Sequence, residues 1–183
     1  MKVALFFGSF NPIHTGHLII GQHILNHTNH DELWYVVSPQ NPDKEKQTLL
    51  EDYHRLALVR LAIEDNSNMK ASDIEFSLPK PSYTIDTLSY LKEKHPNHSF
   101  SIIMGEDNLR TFHKWKNYER ILENFELIVY PRLADANEAK SEMEIANNPS
   151  VNLLENVPQL NISASHIRRQ IEAGKSAKYL LNN

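Results

Sequence analysis

Two histidines, His14 and His17, stand three residues apart in the stretch Gly8-Ser9-Phe10-Asn11-Pro12-Ile13-His14-Thr15-Gly16-His17. An imidazole donates hydrogen bonds to phosphate oxygens, and its charge changes near neutral pH. The stretch joins an apolar run at residues 3–7, read as a strand, to another at 18–20, read as the body of a helix. A strand-to-helix turn gathers backbone N–H groups and a helix N-terminus at one point, ready for an anion. Gly16 lets backbone approach closely and Pro12 stiffens the loop. The chemistry implied is phosphate handling at the end of a first strand. The His-Glu-x-x-His spacing of a zinc-protease helix is absent, which weakens a metal reading.

A second constellation lies far down the chain, at Ile162-Ser163-Ala164-Ser165-His166-Ile167-Arg168. Ser163 or Ser165 caps a helix there, and the donors of its first turn face an anion. Arg168 adds a permanently charged, two-pronged fork. Between the two constellations, Pro39-Gln40-Asn41-Pro42-Asp43-Lys44 is a polar loop. Arg55 sits on the helix that follows it, where a ligand contact and a structural ion pair are equally open. Ser82-Tyr83-Thr84-Ile85-Asp86-Thr87-Leu88 opens a capped helix, with Asp86 and Thr87 supporting its start. Ile103-Met104-Gly105-Glu106-Asp107-Asn108-Leu109 ends a strand at Gly105 and leads on to Phe112 and Trp115.

The elements that must position these residues alternate along the chain. Strands are predicted over 2–7, 32–38, 69–76, 100–104, 127–130 and 151–154. Helices are predicted over 16–27, 51–64, 84–94 and 165–173, with one or two short helices in 108–123 and an exposed helix over 134–147. Gly174 is the expected stop of the 165–173 helix, and residues 179–181 should pack as a terminal strand or turn. Alternation of this kind implies an α/β fold, a Rossmann-like doubly wound parallel sheet with helices on both faces. Ligands of such sheets sit outside the carboxyl ends of the strands. Gly8 and Gly105 both end predicted strands, so two distant segments should meet at one crevice.

The first stretch resembles the G-[ST]-F-[DN]-P-x-H-x-G-H signature of the nucleotidyltransferase superfamily, and the later segments resemble its bacterial nicotinate-nucleotide adenylyltransferases. The 162–168 segment is similar to that family's I-S-[SA]-[ST]-x-I-R, 82–88 to S-Y-T-x-D-T-L, and 103–115 to [ILM]-G-x-D-x-[LM]-x-x-[FL]-x-x-W. Phe7 stands where the family commonly has glycine, and Asp43 where it usually has histidine.

The resemblance implies adenylyl transfer from ATP to nicotinate mononucleotide, giving deamido-NAD and pyrophosphate. It makes His14, His17 and Arg168 the catalytic group. It gives Gly8, Ser9, Phe10, Lys44, Gly105, Asp107, Ile162, Ser163 and Ser165 to ATP and its phosphates. Tyr83, Thr84 and Trp115 read the nicotinate end, Trp115 offering a flat face to the pyridine ring. The attacking phosphate is already ionised, so no general base is needed. Positioning and charge stabilisation carry the reaction. Mg2+ is expected through the ATP phosphates rather than through a set of side-chain ligands.

Bulk properties bound the alternatives. The 183 residues suit one domain over 1–183, and a net charge of −4 leaves no general nucleic-acid footprint. There is no cysteine, so thiol chemistry is excluded. The N-terminus lacks a signal-peptide pattern and no apolar run approaches the roughly 18 residues of a membrane span. A cytoplasmic protein acting on small molecules, with no nucleic acid and no membrane as partner, is the expectation, and a homo-oligomer is left open. Competing readings are an adenylyltransferase for nicotinamide mononucleotide or phosphopantetheine, a non-catalytic nucleotide sensor, and a tRNA synthetase fragment. The last lacks its Lys-Met-Ser-Lys-Ser loop. His23, His27 and His30 share a helical stripe and read as a solvated face.

Overall fold

A computed structural model describes residues 1–39, 50–131, 144–158 and 160–182. Its centre is a six-stranded, all-parallel sheet of β1 (Lys2–Gly8), β2 (Glu32–Val37), β3 (Met69–Ser72), β4 (Ser99–Gly105), β5 (Glu126–Tyr130) and β6 (Val151–Leu153). The strand order is β3-β2-β1-β4-β5-β6, the doubly wound arrangement that the alternating pattern implied. β1, β4 and β5 are nearly continuous apolar runs because both of their faces are covered. Ala4 and Phe6 pack on one face with Tyr35, Ile103 and Tyr130. Val3 and Leu5 pack on the other with Ile102, Met104 and Val129.

α1 (Thr15–His27) and α2 (Asp52–Ala62) supply Ile24, Leu56 and Val59 to the first face. α3 (Thr84–Lys94), α4 (Glu106–Thr111) and α5 (Tyr118–Asn124) supply Leu88, Leu91, Leu109 and Ile121 to the second. α6 (Ala164–Glu172) follows β6 and buries Ile167. Gly174, at φ +68, ends it by donating its N–H to the Ile171 carbonyl at 2.9 Å, the left-handed stop that glycine accommodates.

Two expectations need correction. The strand predicted over 69–76 ends at Ser72, and a 3-10 turn occupies Ile74–Ser77. Ile74 and Phe76 are out of phase with Met69 and Ala71, so the alternation breaks where the turn begins. The helix expected over 134–147 lies largely outside the described residues, and its described end, Glu144–Asn147, is a 3-10 turn. Near the C-terminus a single bridge joins Lys178 and Leu181 around a turn.

The order reverses between β1 and β4. Their register pairs Phe6 with Ile103, two residues short of Gly8 and Gly105 respectively. Both glycines therefore open the crevice that this topology creates.

Candidate functional site

A cleft of about 230 Å³ lies at that crevice. Its floor is Gly8, Ser9, Gly105 and Asn108, and its walls include His14, His17, Tyr130 and Ser163. A hollow of about 210 Å³ adjoins it and shares His14, His17, Tyr130, Ile162 and Ser163. Ile20, Val157 and Leu160 give the hollow its apolar sides. The first and the last motif of the chain thus meet across one opening.

His14 is the N-cap of α1 and is buried, while His17 stands one turn further and is half-buried. Their rings stack at 3.8 Å with 30° between planes. The His14 backbone N–H donates to His17 Nδ1 at 3.3 Å. An accepting Nδ1 leaves the proton of a neutral His17 on Nε2, so this ring presents a donor from its other side. Gly16 makes the stack fit. A Cβ there would lie 3.0 Å from two atoms of the His14 ring.

The loop between β1 and α1 is held from both sides. Phe10 adopts φ 44 and its ring is buried, edge-on to Phe6 at 5.9 Å, His17 at 5.2 Å and Tyr35 at 5.5 Å. A Cβ on Gly8 would lie 2.9 Å from Phe10 Cζ. The Phe10 side chain is thus a core wedge that shapes the loop, and the Ser9 side chain is exposed. Phe7, in the place of the family's glycine, packs half-buried against the second core face.

Arg55 resolves as structural. It is fully buried, and it donates to the carbonyls of Leu50 at 3.0 Å, Ser38 at 2.9 Å and Ser9, with Asp52 Oδ1 at 2.6 Å. It braces the loop between β1 and α1 from behind.

The α1 N-terminus differs from expectation. Besides the His14 N–H taken by His17, the Thr15 N–H donates to the Leu180 carbonyl at 3.0 Å. The Thr15 hydroxyl donates to the same oxygen at 3.0 Å. The C-terminal segment thus caps part of the first turn of α1, and another helix brings its own N-terminus to the cleft. That helix is α6. Ser163 is its N-cap, accepting from the His166 N–H at 3.2 Å, and Ala164 in its first turn lines the cleft.

Arg168 and Ser165 lie beside the cleft rather than in its described lining. Arg168 Nη1 donates to the Asn11 carbonyl at 2.7 Å, and Nη2 to Ser165 Oγ at 3.2 Å. The guanidinium faces a second, apolar hollow behind the loop, lined also by Pro12, Leu58 and Ile171. Asp107 is exposed in the first turn of α4, next to Asn108 of the cleft floor. Lys44 falls outside the described residues.

The two segments expected at the nicotinate end are brought together. Lys116 lies 4.4 Å from the Tyr83 ring centroid and 3.0 Å from Asp86 Oδ2. Trp115 precedes it, half-buried, with one side on Phe112 at 5.1 Å between centroids. Tyr83 is the N-cap of α3 and Thr84 its first residue. This group lies on the α3–α5 side of the sheet, beyond the α4 start that floors the cleft.

Sequence reasoning missed Tyr130 and Asn108, which line the cleft, and Asn11, whose carbonyl seats Arg168. It also missed Gly21 and Tyr35. A Cβ on Gly21 would lie 2.3 Å from the Tyr35 hydroxyl, which donates to the His17 carbonyl at 3.2 Å. The glycine is a signal readable in the sequence, but its partner is on another element. His30 leaves the proposed histidine stripe: it is buried, with its ring nitrogens 2.8 Å from the Thr28 and Ser101 hydroxyls. His23 and His27 do stack, at 4.2 Å. Among the described residues no group of three or more His, Cys, Asp or Glu is placed to hold a metal.

Residues 5–170 match the cytidylyltransferase-like family, which makes the chain a nucleotidyltransferase by family. A relative from Flavobacterium johnsoniae, named probable nicotinate-nucleotide adenylyltransferase, is 52% identical over 181 residues, 99% of this chain and 92% of its own. One of the same name from Cytophaga hutchinsonii is 52% identical, covering 100% of this chain and 92% of its own. The structure of Plasmodium falciparum nicotinic acid mononucleotide adenylyltransferase complexed with NaAD superposes with a TM-score of 0.79 at 25% identity, covering 98% of this chain and 88% of that one. The same protein complexed with APC gives 0.73 at 26% identity, covering 92% and 82%. The chain belongs to this family of nucleotidyltransferases, in its nicotinate-nucleotide adenylyltransferase branch.

Proposed function

We propose that this chain, as a single domain over 1–183, transfers the adenylyl group of ATP to nicotinate mononucleotide, releasing pyrophosphate. The observation that carries the reading is the stacked His14–His17 pair facing Ser163 across the β1–β4 crevice. Charge on the α-phosphorus grows as the mononucleotide phosphate attacks in line. Donors fixed before the reaction stabilise that charge without reorganising. His17 Nε2–H and the first turn of α6 are such donors. The apolar hollow beside them, with Ile20, Val157 and Leu160, suits a flat purine base.

Mg2+ bound to the triphosphate would neutralise part of its charge. It would travel with the substrate, since the described walls of cleft and hollow carry donors and no carboxylate. Arg168 would steady the loop at Asn11 and turn its remaining N–H donors to the phosphates. Lys44, Gly105, Asp107 and Ser165 complete the proposed ATP contacts. Tyr83, Thr84 and Trp115 would hold the mononucleotide, main-chain donors favouring a carboxylate over an amide by about 1–3 kcal/mol. A cytoplasmic location accords with the absence, among the described residues, of any helix long and apolar enough to cross a membrane.

Pyrophosphate release with ATP and each of the two pyridine mononucleotides tests the reading. Wild type should turn over the acid in strong preference to the amide. His17→Ala should lower kcat by about 10²–10³ with KM values little changed. Trp115→Ala should raise the mononucleotide KM by about tenfold, the equivalent of roughly 1.4 kcal/mol, and leave that of ATP in place. No pyrophosphate from the acid mononucleotide would refute the reaction, and equal rates with acid and amide would remove the specificity.

A further inference from the structure

Glu75 is a carboxylate where a core residue would be expected. It is 3% exposed, in the 3-10 turn after β3. Two hydroxyls, from the start of α3 and the residues just before it, converge on it. Thr87 Oγ1, in the first turn of α3, donates to Oε1 at 2.9 Å. Ser82 Oγ, just before that helix, reaches Oε2 at 3.5 Å. Ser38, just past the end of β2, also favours the ionised carboxyl. Burial pushes the carboxyl above its ordinary range in spite of these hydrogen bonds. A buried acid held by neutral hydroxyls is costly to keep, and an apolar residue would pack more favourably there. What the carboxyl provides is geometry, because two oxygens can gather donors from separate elements.

Those elements lead to both halves of the proposed site. Thr87 Oγ1 also reaches the Tyr83 carbonyl at 3.4 Å, so the carboxyl bears on the residues that open α3. On the other side, the Ser38 N–H donates to the Gly8 carbonyl at 2.8 Å. The Ser38 carbonyl accepts from Arg55, which also holds Ser9. Hydrogen bonds thus tie Glu75 to the start of α3, while Ser38, which also acts on that carboxyl, is bonded to the loop after β1.

We propose that Glu75 is a positioning residue for mononucleotide binding: its carboxyl fixes the start of α3 against the turn after β3, so that Tyr83 and Thr84 meet the mononucleotide in register with the loop that takes ATP. The proposal rests on the adenylyl-transfer reading for its kinetic arm and has an independent structural arm.

The kinetic arm uses Glu75→Met, Glu75→Gln and Thr87→Val in the full chain. Glu75→Met should raise the mononucleotide KM about tenfold while the ATP KM moves less than about twofold. Glu75→Gln keeps an acceptor for Thr87 and a donor for a serine oxygen, and should return the mononucleotide KM to within about threefold of wild type. Thr87→Val, which removes one hydroxyl at nearly constant volume, should reproduce the Glu75→Met direction even where the latter folds poorly.

The structural arm is amide hydrogen exchange in the absence of substrates. Glu75→Met should accelerate exchange at residues 83–87 and leave the core of β1 and β4 unchanged. Equal rises of both KM values, or no rescue by glutamine, would mean a merely structural role and overturn the proposal. So would unchanged exchange at 83–87. If wild type releases no pyrophosphate, the functional reading fails and the exchange result alone decides the strap.

Discussion

Replacing Arg55 by methionine removes the brace behind the phosphate loop while keeping the length and much of the volume of the side chain. The guanidinium is fully buried, and it satisfies the carbonyls of Ser9, Ser38 and Leu50 together with the Asp52 carboxylate. At about 1–3 kcal/mol for each buried group left without a partner, three carbonyls set an upper range of roughly 3–9 kcal/mol. Asp52 is 27% exposed and keeps Lys80 at 3.7 Å, so it adds little. The carbonyls belong to loops and can turn partly to water, which favours the lower part of the range. A loss of about 3–5 kcal/mol follows, the size seen when one partner of a buried pair is removed.

A domain of this size holds about 5–15 kcal/mol in all, so the variant should still fold. At about 2–4 °C per kcal/mol, its Tm should fall by roughly 6–20 °C. Urea unfolding followed by circular dichroism measures the loss directly. Arg55→Lys should recover only part of it, because one ammonium cannot span the four acceptors. Below the transition, turnover should drop as well, since Ser9 and Ser38 lose their common anchor. An Arg55→Met variant with the wild-type unfolding midpoint would refute the reasoning.

Gly8→Ala should destabilise by about 1–3 kcal/mol through overpacking, because the Phe10 ring 2.9 Å from the new Cβ is itself enclosed by Phe6, His17 and Tyr35. An unchanged Tm would mean that the ring can move. His30 has a lowered pKa, mainly from burial and then from Lys2, against the raising effect of Glu126 and Asp31. The unfolded chain therefore takes up the proton first as pH falls through the ordinary histidine range. Stability should decline from about pH 7 towards about pH 5 by an amount that His30→Gln abolishes in urea titrations across that range. Glu75 has the opposite sense. Its folded pKa is raised, so its contribution is largest below the ordinary carboxylate range and is lost as pH rises through the folded value. Glu75→Gln should thus gain stability on wild type between about pH 4 and pH 7, and a flat difference over that interval would contradict the burial argument.

The parallel sheet was legible because β1, β4 and β5 are apolar on both faces, a pattern that marks strands covered by helices on either side. The crevice was legible because Gly8 and Gly105 end two of those strands. Beyond that point the local pattern misleads or is silent. Ile74 and Phe76 extend the apolar content of the run past Ser72, but the chain turns at Ile74–Ser77 and buries both Ile74 and Glu75. Arg55 was equally compatible with a ligand contact, because an arginine on an amphipathic helix says nothing about the carbonyls of loops far from it in sequence.

Residue types and short spacings determined by themselves that His14 and His17 share the start of one helix, that Ser163 or Ser165 caps another, and that both follow the ends of strands. These are local facts, set by backbone geometry within a turn or two. Tertiary structure alone decided which donors turn to the cleft. The Leu180 carbonyl, brought from the far end of the chain, takes the Thr15 N–H that the turn seemed to offer. The Asn11 carbonyl holds Arg168 beside the opening, and Glu75, from the turn after β3, gathers the hydroxyls of Ser82 and Thr87. The physical reason is that a buried polar group must find a partner wherever the fold supplies one, and that supply depends on which distant segments the sheet order brings together.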